Sequence, residues 1–524
     1  MKSNPITATS LLTVMCVWLA IPASAPAQSA FRIGGAGNDY GKDLTVDSAG
    51  NIVSTGYFNG TVDFNPTATV SNLTALGISD NYVAKYTLAG SLLWAFRTGG
   101  TAAELPHSVV LDGSDNIYLA GYFSTTTDFD PGLGVASRTS AGGRDAYVAK
   151  YSSTGAFNWV NTFGGTTDDE AFDLRLDSSG NVYATGMFQG TVNAGGGNLV
   201  SNGGQDVFFA KFDNGGNHLW SYSMGGVGDD QGYTVRTDSL GNAWLAGAFA
   251  GTNVNFGAAG SVTNLTSAGQ QDIFLAKYTP GGTNLFAGRM GGLLDDNPAP
   301  GGMVVDSTNS VYITGSFRGI ADMNPGPALN TLTNAGNADI FVAKYGTNGA
   351  MVYAFRAGGA GLDGGHRMVV DGNDNLYVTG WVVGTNNVPV DFDPGLGVGN
   401  VVPLGTNANN VFLASYDKNG AYRYAGVMGD ANSDTNNASI GGGLGLTSDG
   451  QIIMGGRMYG TMDFDPSTGI YNLTSAGGSD IFIAQYNAAT GQLVPEPGSG
   501  VLTLAGFAGL VFVLHRRRTV DQSG

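Results

Sequence analysis

Asn181-Val182-Tyr183-Ala184-Thr185-Gly186-Met187-Phe188 is a phrase that returns along the whole chain. Its glycine falls at Gly56, Gly121, Gly186, Gly247, Gly315, Gly380 and Gly456, in steps of 65, 65, 61, 68, 65 and 76 residues. A second phrase, Asp339-Ile340-Phe341-Val342-Ala343-Lys344-Tyr345, has its first residue again at Asp80, Asp145, Asp206, Asp272, Asn410 and Asp480. A third ends in Gly-Gly in most copies and carries an aromatic residue five positions earlier: Trp94, Trp159, Trp220, Phe286, Tyr353 and Tyr424. Seven copies this regular describe one repeated unit, not a string of separate domains.

Each unit reads as four strands. From Glu170, Phe172, Leu174 and Leu176 alternate with Asp173 and Arg175, a period of two. Asp177-Ser178-Ser179-Gly180-Asn181 is a tight turn, because Asp accepts a turn hydrogen bond and Gly tolerates positive φ. Asn181 to Phe188 is the second strand. Asp206 to Phe212, almost wholly apolar, is the third and is expected to be buried on both faces. Asn214-Gly215-Gly216 turns into the fourth, His218 to Met224. The expected fold class is all-β: a seven-bladed β-propeller of four-stranded antiparallel blades. An open β-solenoid is the competing architecture.

The chain ends argue for closure. Phe31-Arg32-Ile33-Gly34-Gly35 matches the fourth-strand phrase Phe96-Arg97-Thr98-Gly99-Gly100, and the last unit stops after its third strand, Asp480 to Tyr486. The N-terminal strand is therefore expected to complete the last blade and cover its bare edge.

Composition fits this class. The 524 residues include 85 Gly, are 42% hydrophobic and only 12% charged, with a net charge of −18. That hydrophobic share excludes wholesale disorder. The acid excess excludes a nucleic-acid partner, which needs a basic face.

The remaining ends read as addresses. Lys2, the apolar run Leu11 to Ile21 and Ala25-Pro26-Ala27 form a secretory signal peptide over residues 1–27. A buried first helix is the other reading. The only cysteine, Cys16, falls inside that run, so the exported body has no disulfide and no thiol nucleophile. Residues 28–490 are then the propeller and 491–524 a sorting segment. In that segment Pro495-Glu496-Pro497 precedes an apolar helix over 500–514 and the cluster Arg516, Arg517, Arg518. Fifteen apolar residues span only ~22 Å, short of a ~30 Å hydrocarbon core, although arginines can snorkel. This order resembles the PEP-CTERM sorting signal of Gram-negative bacteria. The resemblance implies an exosortase-type processing partner, membrane contact before processing, and release or display at the cell surface. A plain C-terminal anchor is the alternative.

The units themselves resemble the SBBP family, the seven-bladed β-propeller repeat. The carrying residues are Gly164-Gly165-Thr166-Thr167-Asp168-Asp169 and Leu176-Asp177 through Gly186. The resemblance covers nearly all of residues 31 to 490 and implies the fold, not an activity. The last unit departs most, with Thr447 in place of the turn Asp.

The chain shows no catalytic motif that survives inspection. His107 and His366 share a repeat position with Lys42, Phe172 and Tyr233, while His218 is expected in a turn; structural roles are the expectation for all three histidines. Gly359-Ala360-Gly361-Leu362-Asp363-Gly364 matches G-x-G-x-x-G but joins two strands, not a strand and a helix. Two carboxylate patterns stand out. Asp39, Glu104, Asp169, Asp230, Asp296, Asp363 and Asp434 recur in register on the loop between units. They read as staples accepting backbone N–H bonds, or as a functional ring at a channel mouth. Asp128/Asp130, Asp391/Asp393 and Asp463/Asp465 recur in Asp-Phe-Asp-Pro loops. These are candidate Ca²⁺ ligands, since paired hard oxygens suit that ion, or plain Asx-Pro turns. Near-perfect repetition points to an exported, non-catalytic scaffold that binds an extracellular polymer, the envelope or another protein. An extracellular glycan hydrolase or lyase on the same scaffold is the alternative.

Overall fold

The Asp177 carboxylate organises the turn that starts the repeated phrase. Its Oδ1 accepts the N–H groups of Ser179 (3.0 Å) and Asn181 (2.9 Å), and its carbonyl accepts Gly180 N–H. Gly180 has φ +78°, a left-handed value; Asp115, Asn309 and Asp374 take that conformation in other units. These are the side chains that tolerate it best after glycine. The turn folds Glu170–Leu176 back on Val182–Phe188 as an antiparallel pair. Val182–Phe188 then pairs with Asp206–Phe212, and that strand with His218–Met224. Both middle strands are buried along their whole length.

The computed structural model describes residues 29–258, 262–385, 388–395, 397–405, 408–429 and 440–495. The expected signal peptide, Asp434, Glu496, Pro497, the apolar helix over 500–514 and Arg516, Arg517 and Arg518 lie outside the described residues. Among the described residues the chain is all-β, with no helix and hence none long and apolar enough to cross a membrane. Pro495, the last of them, is exposed.

The same four-strand order recurs. The first strands are Tyr40–Val46, Leu105–Leu111, Glu170–Leu176, Gln231–Thr237, Asn297–Val305, Gly364–Val370 and Ile440–Leu446. Each packs beside the first strand of the next unit, and Ile440–Leu446 packs beside Tyr40–Val46. These strands surround a central space. The apolar clusters lie between units. One joins Tyr118 and Val148 to Leu174 and Phe208; another joins Ile453, Ile481 and Ile483 to Leu44, Ile52 and Tyr82. A lone unit would expose those faces, so burial holds the units together.

The last sheet takes its fourth strand from the other end of the chain. Ala30–Ile33 pairs antiparallel with Asp480–Asn487, Ala30 opposite Ala484 and Ile33 opposite Ile481. Arg32 reaches Asp480 at 2.7 Å, as Arg97 reaches Asp80 (2.9 Å) and Arg356 reaches Asp339 (2.7 Å) within their own units.

Two local readings are corrected. His218 is the first residue of a strand rather than part of a turn. Most loops between second and third strands carry a short hairpin, such as Thr61–Asp63 with Asn72–Thr74. The plain alternation expected from Glu170 to Leu176 is broken, because the pairing slips between Ala171 and Asp173. Phe172 stands out of the ladder, and Asp173 is buried.

Candidate functional site

That slip recurs in the other units and decides where unlike residues go. The register shifts between Gly41 and Asp43, Pro106 and Ser108, Gly232 and Thr234, Gly365 and Arg367, and Gly441 and Gly443; in the fifth unit it spans Pro298 to Met303. A β-bulge leaves one residue unpaired and re-aims its side chain. The bulged residues are Lys42, His107, Phe172, Tyr233, His366 and Gly442, so a position that is structurally constant is chemically different almost every time.

These side chains converge at one end of the central space. The His107 ring packs edge-on to Phe172 (5.2 Å between centroids), and Phe172 meets Tyr233 (5.5 Å). His366 lies 6.5 Å from Trp381. Lys42 sits over Tyr40 at 4.6 Å, Arg457 over the same ring at 4.7 Å, and Arg144 over Tyr122 at 4.5 Å. Glu170 accepts from Arg144 (2.5 Å) and lies 3.2 Å from His107 Nε2. Burial pulls the Lys42 ammonium down to about 8, with Arg457 and Arg367 adding to the shift and Glu170 opposing it. Burial, Arg367 and Lys42 together hold His366 at about 3, so its ring is neutral at physiological pH.

Two arginines tie the first strands together, Arg236 between neighbouring units and Arg367 across the central space. Arg236 binds Asp173 at 2.5 Å and donates to the Gly301 carbonyl at 2.9 Å. Arg367 reaches Asp43 (3.2 Å) and donates to the carbonyls of Gly442 (3.0 Å) and His107 (3.1 Å). Asp173 also accepts from Ser108 Oγ and the N–H of Val235, and Asp43 accepts Val109 N–H. Burial raises the Asp173 carboxyl, but Arg236, Arg175 and Arg367 outweigh it and set it at about 2. Burial, then Arg175, lower Arg236 to about 9. Arg175 lines a cavity of about 190 Å³ with Arg236, Arg367 and Asp43.

The sequence reading did not pick out this cluster. Asp43, Asp173 with Arg175, Arg236 and Arg367 come from four different units, and no pair shares the spacing of a known motif. Asp43, Asp173 and Arg367 share one repeat position and Arg175 and Arg236 another, but both positions vary from unit to unit, so periodicity did not mark them.

The repeated loop carboxylates do something different. Asp39, Asp169, Asp230, Asp296 and Asp363 are fully buried, and each bridges two backbone N–H groups on opposite sides of its loop. Asp169 takes Gly165 N–H (2.6 Å) and Gln189 N–H (3.0 Å); Asp230 takes Gly226 (2.7 Å) and Ala250 (3.0 Å). Asp39 holds Gly35 and Asn59, Asp296 holds Gly292 and Arg318, and Asp363 holds Gly359 and Val383. The backbone N–H of each donates in turn to a carbonyl at or just before the third strand of the preceding unit; for Asp230 that is Gln205, at 2.7 Å. Glu104 accepts Thr127 Oγ1 at 3.1 Å. Burial pushes Asp39, Asp169, Asp230 and Asp363 up to about 6, Asp296 to about 7 and Glu104 to about 8.

The Asp-Phe-Asp-Pro loops lie in separate units and are not brought together. Asp128 Oδ1 accepts the N–H groups of Asp130 (3.1 Å) and Ala136 (2.8 Å), and Asp130 accepts Gly132 N–H (2.8 Å). Asp391 with Asp393 and Asp463 with Asp465 repeat the pattern. Among the described residues no three His, Cys, Asp or Glu side chains gather as a metal-ligand group.

No family model matches the chain. Over 428 residues it is 24% identical to an uncharacterized WD repeat-containing protein, L264, of Acanthamoeba polyphaga mimivirus, covering 67% of this chain and 31% of that protein. Over 143 residues it is 31% identical to the regulatory protein FlaEY of Caulobacter vibrioides, covering 27% of this chain and 15% of that one. The chain thus matches less than a third of the length of either relative. The WD-repeat likeness and the all-β repeated units both fit a β-propeller repeat protein.

Proposed function

We propose that the chain is a seven-bladed β-propeller of the SBBP kind, closed by its N-terminal strand, that serves as a non-catalytic binding scaffold with its ligand seat at the mouth of the central channel. The observation that carries the reading is the segregation of unlike residues. Polar features elsewhere recur in register as turn, staple or ion pair, whereas the bulge positions present Lys42, His107, Phe172, Tyr233 and His366 to one space. Repeat folds commonly keep the scaffold constant and vary the binding face. The leader, the Pro495-Glu496-Pro497 segment and the terminal arginines support export by a Gram-negative cell, processing by an exosortase-type enzyme, and an extracellular polymer or protein as the ligand.

The ion pairs favour binding over glycan hydrolysis or lysis. Glu170 and Asp173 are each engaged by an arginine and held below the usual carboxylate range, whereas a glycosidic general acid must hold its proton near neutral pH. The test is a glycan and envelope-fraction array probed with the full chain, followed by product analysis on every hit. Binding that Tyr233→Ala or Trp381→Ala weakens at least tenfold, without product, supports the scaffold. Turnover, or binding indifferent to both substitutions, overturns it.

The Asp-Phe-Asp-Pro loops we read as Asx turns, because their Oδ1 atoms already hold two N–H groups. At matched ionic strength, Ca²⁺, Mg²⁺ and NaCl should shift the melting temperature alike. A Ca²⁺-specific rise that Asp128→Asn with Asp130→Asn removes would instead make these loops calcium sites.

A further inference from the structure

We infer that the cavity inside the channel, lined by Arg175, Arg236, Arg367 and Asp43, seats one small free oxyanion of the phosphate or sulfate class, with Arg175 as its principal donor. This stands apart from the ligand seat proposed at the mouth. Three observations support it.

The first is an arginine without a counter-ion. Arg236 is engaged by Asp173 at 2.5 Å and Arg367 by Asp43 at 3.2 Å. Arg175 lines the same cavity and is only partly buried, so an ion in the cavity can reach it. Among the described residues its side chain has neither an ion pair nor a hydrogen bond. A guanidinium cannot shed its charge and offers five N–H donors in a planar fork. Left unpaired beside two like groups, it favours an incoming anion.

The second is how closely the guanidinium groups are held. Gly301 belongs to the widened bulge of the fifth unit and has φ +70°. Its carbonyl accepts Arg236 Nη2 at 2.9 Å, and a Cβ built on it would fall 1.6 Å from Arg367 Nη1. Arg175 meets these two from the third unit. Among the described residues Asp43 is the only carboxylate on the cavity wall. With Asp173 counted behind Arg236, three cations still face two carboxylates. Burial also raises the Asp43 carboxyl, against the pull of Arg367, which makes it a weaker counter-ion.

The third is size and setting. The cavity measures about 190 Å³, below the ~300–1,000 Å³ typical of pockets for drug-sized ligands. It suits a single compact ion and not a polymer. Leu44, Val109, Met368 and Leu444 make up much of the remaining wall, and such surroundings strengthen charge-assisted hydrogen bonds. An oxyanion there would tie together first strands of the first, third, fourth and sixth units.

The test is melting and calorimetric titration of the full chain with phosphate, sulfate, or NaCl at matched ionic strength. Either oxyanion, at a hundred times its Kd, should raise the melting temperature by about 2–3 °C, and NaCl should not. Arg175→Gln should lower oxyanion affinity about tenfold and abolish the rise, while Arg175→Lys keeps part of it. Arg175 crowds Arg236 with like charge, so Arg175→Gln should leave the anion-free melting temperature unchanged or higher. That separates lost binding from lost folding. Failure of both oxyanions to bind, an equal rise with NaCl, or an oxyanion response that survives Arg175→Gln overturns the inference. A lower anion-free melting temperature in Arg175→Gln also overturns it, by showing that Arg175 already has a partner. Dextran sulfate, too large for the cavity, should not compete with phosphate; competition that depends on Arg175 would overturn the free-ion assignment in favour of an external polyanion.

Discussion

Single residues in the repeated phrase are fixed by atoms from other strands. A Cβ on Gly186 would lie 1.8 Å from the Glu170 carbonyl oxygen, on backbone that cannot give way. Thr185, beside it, spends its hydroxyl on the Phe208 carbonyl at 2.9 Å. Gly186→Ala is therefore expected to cost about 3 kcal/mol or more, at the upper end for a point change. Gly180→Ala, which pays only for a left-handed backbone, should cost about 1–2 kcal/mol. Denaturant titration of both variants decides; equal losses would mean that the close approach at Gly186 is not what fixes it. The phrase was legible in the sequence because the same constraint holds at Gly56, Gly121, Gly247, Gly315 and Gly380. The bulge beside it was not, since its residues share neither size nor charge.

At the scale of the element, the third strand is tied to the first turn by a lysine. Lys211 reaches Asp177 at 3.2 Å and sits 4.5 Å over the Tyr183 ring; Lys277 with Asp238 and Lys344 with Asp306 do the same. The last unit replaces both partners, with Thr447 for the Asp and Gln485 for the Lys. Its departure at Thr447 is thus one half of a paired change rather than a loss. Both side chains of the Asp177 pair are nearly buried, and removing one partner of a buried pair strands the other charge, a cost of about 3–5 kcal/mol. Asp177→Thr and Lys211→Gln should each be that costly, while the double variant loses less than either. A double-mutant cycle measured by chemical unfolding gives the coupling; simple additivity would refute it.

For the whole molecule, the fourth strand of the last sheet is the element that joins the two ends of the chain. Deleting residues 28–35 should leave the edge of Asp480–Asn487 bare and strip Phe31 and Ile33 from the cluster they share with Ile481 and Ile483. The melting transition should fall by several degrees and broaden; an unchanged transition would show that the strand does not close the fold. The staples add a pH dependence. Glu104, raised to about 8 by burial, keeps in the folded state a proton that the unfolded chain gives up near 4.5. Stability linked to it is complete below about 4.5 and is lost as pH rises through 8. Asp296 and Asp206, raised to about 7 mainly by burial, act in the same sense over a window from about 4 to 7. The melting temperature should therefore fall between pH 5 and pH 8.5, and Glu104→Gln should flatten that fall. A melting temperature that rises across the window would contradict the assignment.

The sequence alone determined the unit, its four strands, their turns and the likeness of the N-terminal strand to a fourth strand. These depend on neighbours along the chain and on constraints repeated seven times, so periodicity records them. It also marked the staple carboxylates, because backbone N–H groups recur wherever the loop recurs. Only the tertiary structure decided where the exceptions go. Lys42, His107, Phe172, Tyr233 and His366 are spread over some 320 residues of chain, and the sequence marks them only as unlike residues at one repeat position. They come together, as His107 does with Phe172 and Phe172 with Tyr233, because a bulge at a constant position takes each out of its strand pairing. That convergence is a property of how the units pack, which no spacing along the chain encodes.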